Sequence, residues 1–102
     1  MTNAQNIEAT IEKLLEEEQK LREAYKEAED WNTESYNRVL VWEEAYAASG
    51  EDEKTGQVLD EVYEEYEKAN SNMREAEEGL EAMEEALQGL RKAMKIVELL
   101  GL

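Results

Sequence analysis

From Leu59 to Val97 apolar residues recur at spacings of three and four without a gap: Leu59, Val62, Tyr66, Ala69, Met73, Ala76, Leu80, Met83, Leu87, Leu90, Met94 and Val97. On a helix that spacing returns to one side at every turn, so the pattern demands a partner helix along its whole length. On a strand, with period two, the same residues would scatter over both faces. The chain has no Pro, so no ring interrupts the backbone hydrogen bonds of a long helix. Glu, Ala, Leu and Lys dominate the sequence, and all four favour helix. Strand-forming residues are scarce and Phe is absent. The reading is an all-α chain.

The first half follows the same period less strictly. Ile7, Ile11, Leu14, Leu21, Tyr25, Ala28, Val39, Trp42 and Tyr46 fit one seam, which Glu18, Asn32 and Ser35 interrupt. Asn6 is placed to cap the first helix. The polar stretch Ser49-Gly50-Glu51-Asp52-Glu53-Lys54-Thr55-Gly56 separates the halves, and its two glycines mark a stop and a restart, with Asp52 or Thr55 as the second cap. The expected organisation is one helical domain over 1–102, with arm one about 6–49, a turn at 49–56 and arm two about 56–100.

If the arms pair antiparallel about that turn, the numbers of facing residues sum to about 105. Ile11 then lies near Met94, Leu14 near Leu90, Val39 near Tyr66 and Tyr46 near Leu59. Asn32 and Ser35 fall beside Asn70, Ser71 and Asn72, so both arms carry their weakest helix formers at one height. A long antiparallel, coiled-coil-like hairpin is the simpler outcome. The alternative is a four-helix bundle with breaks near 30–33 and 70–72.

A two-helix hairpin buries only one seam, which is thin for this length. Leu15, Trp31, Leu40, Val41, Ile96, Leu99, Leu100 and Leu102 lie off it. Self-association is expected, most simply a homodimer, with Ile96, Leu99, Leu100 and Leu102 as the contact, near Ile7, Ile11 and Leu15 at the open end.

No pattern points to catalysis. His and Cys are absent, so Ser35, Ser49 and Ser71 have no imidazole to activate them. No catalytic residue, cofactor or metal site is assigned, and the expectation is a protein that is not an enzyme. Helix-bundle di-metal sites need Glu-x-x-His. The turn from Glu51 resembles a calcium loop through Glu51, Glu53, Thr55 and Gly56, but Val62 stands where a bidentate Glu is required. The start, Met1-Thr2-Asn3-Ala4-Gln5-Asn6, has neither the basic region nor the apolar run of a secretion signal. No stretch approaches the roughly 20 apolar residues of a membrane span. A soluble, cytoplasmic protein is therefore expected.

Charge narrows the partners. The chain carries 27 acidic and 11 basic residues, a net −16. Such acidity disfavours direct binding to nucleic acid or anionic membranes and favours basic proteins. Between Glu43 and Glu67 stand Glu43, Glu44, Glu51, Asp52, Glu53, Asp60, Glu61, Glu64, Glu65 and Glu67 against Lys54 alone. Folded about the turn, these residues occupy roughly 18 Å of axis, about one net charge per 2 Å, close to the roughly one per 1.7 Å of duplex DNA. Such crowding repels itself, and relieving Lys residues at i+4 are mostly missing. Trp31, Tyr36 and Tyr63 fall off the seam and are candidate anchors beside the acids. Arg91, Lys92 and Lys95 form one cationic patch, suited to a helix C-terminus.

In size, helicity and the acidic run from Glu43 to Glu67, the chain resembles the small acidic helical inhibitors that phages direct against restriction or CRISPR systems by mimicking DNA. The resemblance implies an inhibitor in a host cytoplasm that occupies the nucleic-acid groove of a basic host protein. The chain is also similar to the Trp-x-Gly helical-hairpin proteins of type VII secretion. Tyr63 and Glu67 echo their tyrosine-plus-acid spacing, but Trp42 is followed by Glu43-Glu44 and the nearest Gly is Gly50. That likeness implies an adaptor or secretion partner acting through its apolar seam.

Overall fold

Each helix begins where a side chain satisfies free backbone N–H groups and ends where a glycine turns left-handed. In a computed structural model describing residues 2–102, helix α1 spans Asn3–Ala48 and α2 spans Glu53–Leu100, with no strand among the described residues. Thr2 and Gln5 form a reciprocal capping box: the Gln5 N–H donates to Thr2 Oγ1 at 3.1 Å and the Thr2 N–H to Gln5 Oε1 at 3.0 Å. The first arm therefore starts earlier than the expected 6. Asn6 is not the cap; it lies inside the helix, its carbonyl accepting from Thr10 Oγ1 at 2.9 Å.

At the turn, Gly50 takes φ 74° and Glu51 φ 65°. The Glu51 N–H reaches back to the Tyr46 carbonyl at 3.1 Å and the Gly50 N–H to that of Ala47 at 3.3 Å, closing the end of α1. Asp52 then caps α2, its Oδ2 accepting from the Thr55 N–H at 3.2 Å. Of the two candidate caps Asp52 holds the position, so the connection is shorter than 49–56 and α2 opens at Glu53. Gly101, at φ 67°, ends α2 in the same way: the Leu102 N–H donates to the Val97 carbonyl at 3.0 Å.

The helices pack antiparallel as a hairpin, and neither breaks at 30–33 or 70–72. The four-helix alternative is thereby excluded. The cap-forming residues there are consumed by each other, because the Asn32 side-chain amide donates to Asn70 Oδ1 across the interface. The register is also tighter than expected. Asn32 faces Asn70, Tyr36 packs on Tyr66, and a Cβ at Gly56 would lie 3.2 Å from the Tyr46 ring, so facing numbers sum to about 102 rather than about 105. The reason is the early Asp52 cap, which leaves fewer residues in the turn.

Contacts divide the hairpin into a terminal unit, 1–24 with 77–102, and a turn unit, 25–76. The turn unit holds most of the buried side chains. Val39, Leu59 and Val62 form its apolar centre, with Trp42, Tyr46 and Tyr66 packed around it. Ala28, Ser35 and Ala69 are 2%, 1% and 0% exposed, so small residues bring the backbones close there. In the terminal unit Leu87 is the buried apolar residue, and the rest of its seam is half-buried. Within this unit Arg22 bridges to Glu18 at 3.2 Å and to Glu84 at 3.8 Å, so the seam interruption at Glu18 is filled by an ion pair.

Candidate partner-binding face

The acidic run belongs wholly to the turn unit. Because the last turns of α1 and the first of α2 are antiparallel neighbours, Glu43 and Glu44 stand at about the height of Asp60 and Glu61, with Glu64 and Glu67 further along α2 and Glu51, Asp52 and Glu53 at the turn. All of these side chains are exposed. Their charges are therefore presented to solvent, where they project a field without being desolvated.

Two members of the run do structural work. Asp52 spends Oδ2 on capping α2. Glu65 is half-buried and accepts from Arg38 Nη1 at 3.0 Å and from the Trp31 indole N–H at 3.5 Å. Arg38 was missed as a partner because it lies outside the run in sequence; only the antiparallel register carries it across to Glu65. It lowers the local excess below the −9 counted along the chain. Among the described residues no ion pair engages the other members of the run.

The three aromatic candidates do not form one anchor. Tyr36 packs on Tyr66 with ring centroids 5.7 Å apart, on the edge where Tyr63 meets Glu43. Trp31, five positions before Tyr36, projects about 140° away around the helix, to the edge where it meets Glu65. There it lines an open groove with Glu64, Glu67, Lys68, Ser71, Asn72 and Glu75. A second shallow groove, at the turn, is bordered by Tyr46, Asp52, Glu53, Gly56, Gln57, Leu59 and Asp60.

The Tyr63 hydroxyl is held above its usual range. Desolvation is the first cause, followed by its hydrogen bond to the Glu43 carboxylate and the negative charges of Glu43 and Asp60. Each disfavours the phenolate. The folded state thus keeps this proton to higher pH than the unfolded chain, and the small stabilisation it brings is lost as pH rises through the folded value. Glu43→Gln is expected to move the Tyr63 titration back down. Phenolate absorbance of the parent and variant checks this; an unchanged midpoint would mean that Glu43 does not reach Tyr63.

The proposed self-association residues lie in the terminal unit. Ile96, Leu99, Leu100 and Leu102 are 56%, 84%, 66% and 60% exposed. Arg91, Lys92 and Lys95 are exposed on the same helical segment.

Chemically, the exposed carboxylates of this face can attract and pair with cations. Among the described residues no group of three or more Asp or Glu converges as metal ligands, and no helix is long and apolar enough to cross a membrane. No protein-family profile, no curated protein and no solved structure matches the chain.

Proposed function

We propose that the chain is a non-enzymatic binding protein. It presents the acidic turn unit to a basic, nucleic-acid-binding protein and blocks it by occupying the nucleic-acid site. One observation supports this reading most: every carboxylate of the run but Glu65 is exposed, and Glu65 alone among them has an ion-pair partner. An acidic surface kept for solubility would relieve its own repulsion with nearby Lys or Arg. Here the charge remains available to a partner, whose Lys and Arg would be steered in and paired with Glu43, Glu44, Glu61 and Glu64.

The test is capture of proteins from a candidate host lysate at about 0.15 M and about 0.5 M salt, with duplex DNA as competitor. Basic nucleic-acid-binding proteins released by both salt and DNA are the expected catch. Binding that ignores about 0.5 M salt would refute mimicry.

A second reading, a structural coiled coil or adaptor, is favoured by the exposed apolar group Ile96, Leu99, Leu100 and Leu102. Monomeric proteins rarely expose contiguous apolar patches above a few hundred Å². On this reading the patch seats a second copy of the chain. Light scattering is expected to give twice 11.8 kDa for the parent and the single-chain mass for Leu99→Asp, with helicity unchanged. A parent that stays monomeric at every concentration would remove the dimer.

A further inference from the structure

One edge of the turn unit is not acidic alone. Tyr36, Leu40 and Tyr63 are 47%, 44% and 40% exposed. Tyr36 and Leu40 stand one turn apart on α1, so they share a face. Tyr36 is seated on Tyr66, and Tyr63 lies across the interface from Glu43, close enough for that carboxylate to raise its hydroxyl. Tyr36 at least is thus held by the hairpin rather than loose on it. Carboxylates bracket this strip of three side chains: Glu44 lies one turn beyond Leu40, and Glu43 and Asp60 lie close enough to raise the Tyr63 hydroxyl. On the opposite edge Arg38 is bridged to Glu65, so a cation of the protein itself already pairs with the carboxylate there.

We infer that this strip is where the partner docks, and that the docking element is an amphipathic basic helix with apolar residues at i and i+3 or i+4 and Lys or Arg along both flanks. The inference rests on the basic-partner reading above and narrows it to a surface and a class of ligand. Charge complementarity selects the occupant. A nucleic acid or an anionic membrane is repelled by the flanking carboxylates, and a second copy would set like charges face to face. A wholly apolar helix would strip water from the carboxylates without pairing them. A helix whose apolar ridge meets Tyr36, Leu40 and Tyr63 while its cations meet Glu43, Glu44 and Asp60 satisfies both parts of the edge. Two helices side by side also leave a groove into which a third packs by ridges and grooves.

The experiment uses two synthetic peptides of about four helical turns. One carries Leu along one face with Lys on both flanks. The other has every Leu replaced by Gln, which keeps charge and helix propensity. Calorimetry with the full chain is expected to show the Leu peptide bound at least about tenfold more tightly than the Gln peptide. Leu40→Gln with Tyr63→Gln should erase that preference, while Leu99→Gln with Leu100→Gln should keep it. Circular dichroism verifies folding, and Leu40→Gln alone serves should the pair unfold. Equal binding of the two peptides, or loss of preference in the Leu99 and Leu100 variant, overturns the strip and leaves the basic-partner reading standing. Binding of neither peptide removes both.

Discussion

Leu87→Ala is expected to cost about 2–5 kcal/mol, the range for truncating a buried leucine, and to act on half of the hairpin. Leu87 is 2% exposed, while its seam neighbours Met83, Leu90 and Met94 are only half-buried. The terminal unit thus leans on one well-buried side chain, whereas the turn unit shares its core among Val39, Leu59 and Val62 with three aromatic neighbours. Losing Leu87 should open the terminal unit below the temperature at which the turn unit melts. Amide hydrogen exchange checks this: protection should fall for residues of 1–24 and 77–102 and persist within 25–76. A uniform loss along both helices would show that the hairpin unfolds as one cooperative body.

The second large effect is a change of sign at the polar layer. Asn32, on the α1 seam, and Asn70, next to the α2 seam residue Ala69, are half-buried and bonded to each other. Asn32→Leu alone strands the Asn70 side chain beside an apolar group and is expected to cost about 1–3 kcal/mol. Replacing both by Leu removes the polar demand, so the double variant should match or exceed the parent in stability. Its cost should appear as lost register or changed oligomeric state, because a buried Asn on a helical seam penalises alternative pairings. Denaturant melts of the two singles and the double measure the coupling, and light scattering reads the oligomer. A double variant no more stable than the singles would show that the pair contributes no coupling. Ser35 belongs to the same layer: its hydroxyl is buried with no hydrogen-bond partner among the described residues, so Ser35→Ala should be neutral or stabilising by about 1 kcal/mol.

Local rules were readable where they are local. The heptad from Leu59 to Val97 and the two glycines of the turn specify two helices and a reversal, because helix periodicity and left-handed glycine act within a few residues. Asp52 was legible as a cap for the same reason. The capping box at Thr2 and Gln5 follows a pattern visible in the sequence too, yet Asn6 competes with it on residue type alone. The acidic run was legible as a list of charges, but its members are not equivalent. Asp52 caps and Glu65 pairs with Arg38 and Trp31, and neither role can be read without knowing which residues face each other.

The sequence by itself therefore determined the helical class, the reversal, and the concentration of negative charge around the turn. All three depend on residue type and spacing along one chain. Only the tertiary structure decided whether the helices run through Asn32 and Asn70 or break there, which edge gathers Tyr36 with Tyr63, and which carboxylates are left free. Those outcomes depend on register, and register is set by the closing turn and by contacts between residues some 27 to 38 positions apart. One turn shorter by a few residues shifts every facing pair, so the partners of Glu65 and Asn32 are properties of the folded hairpin rather than of either helix.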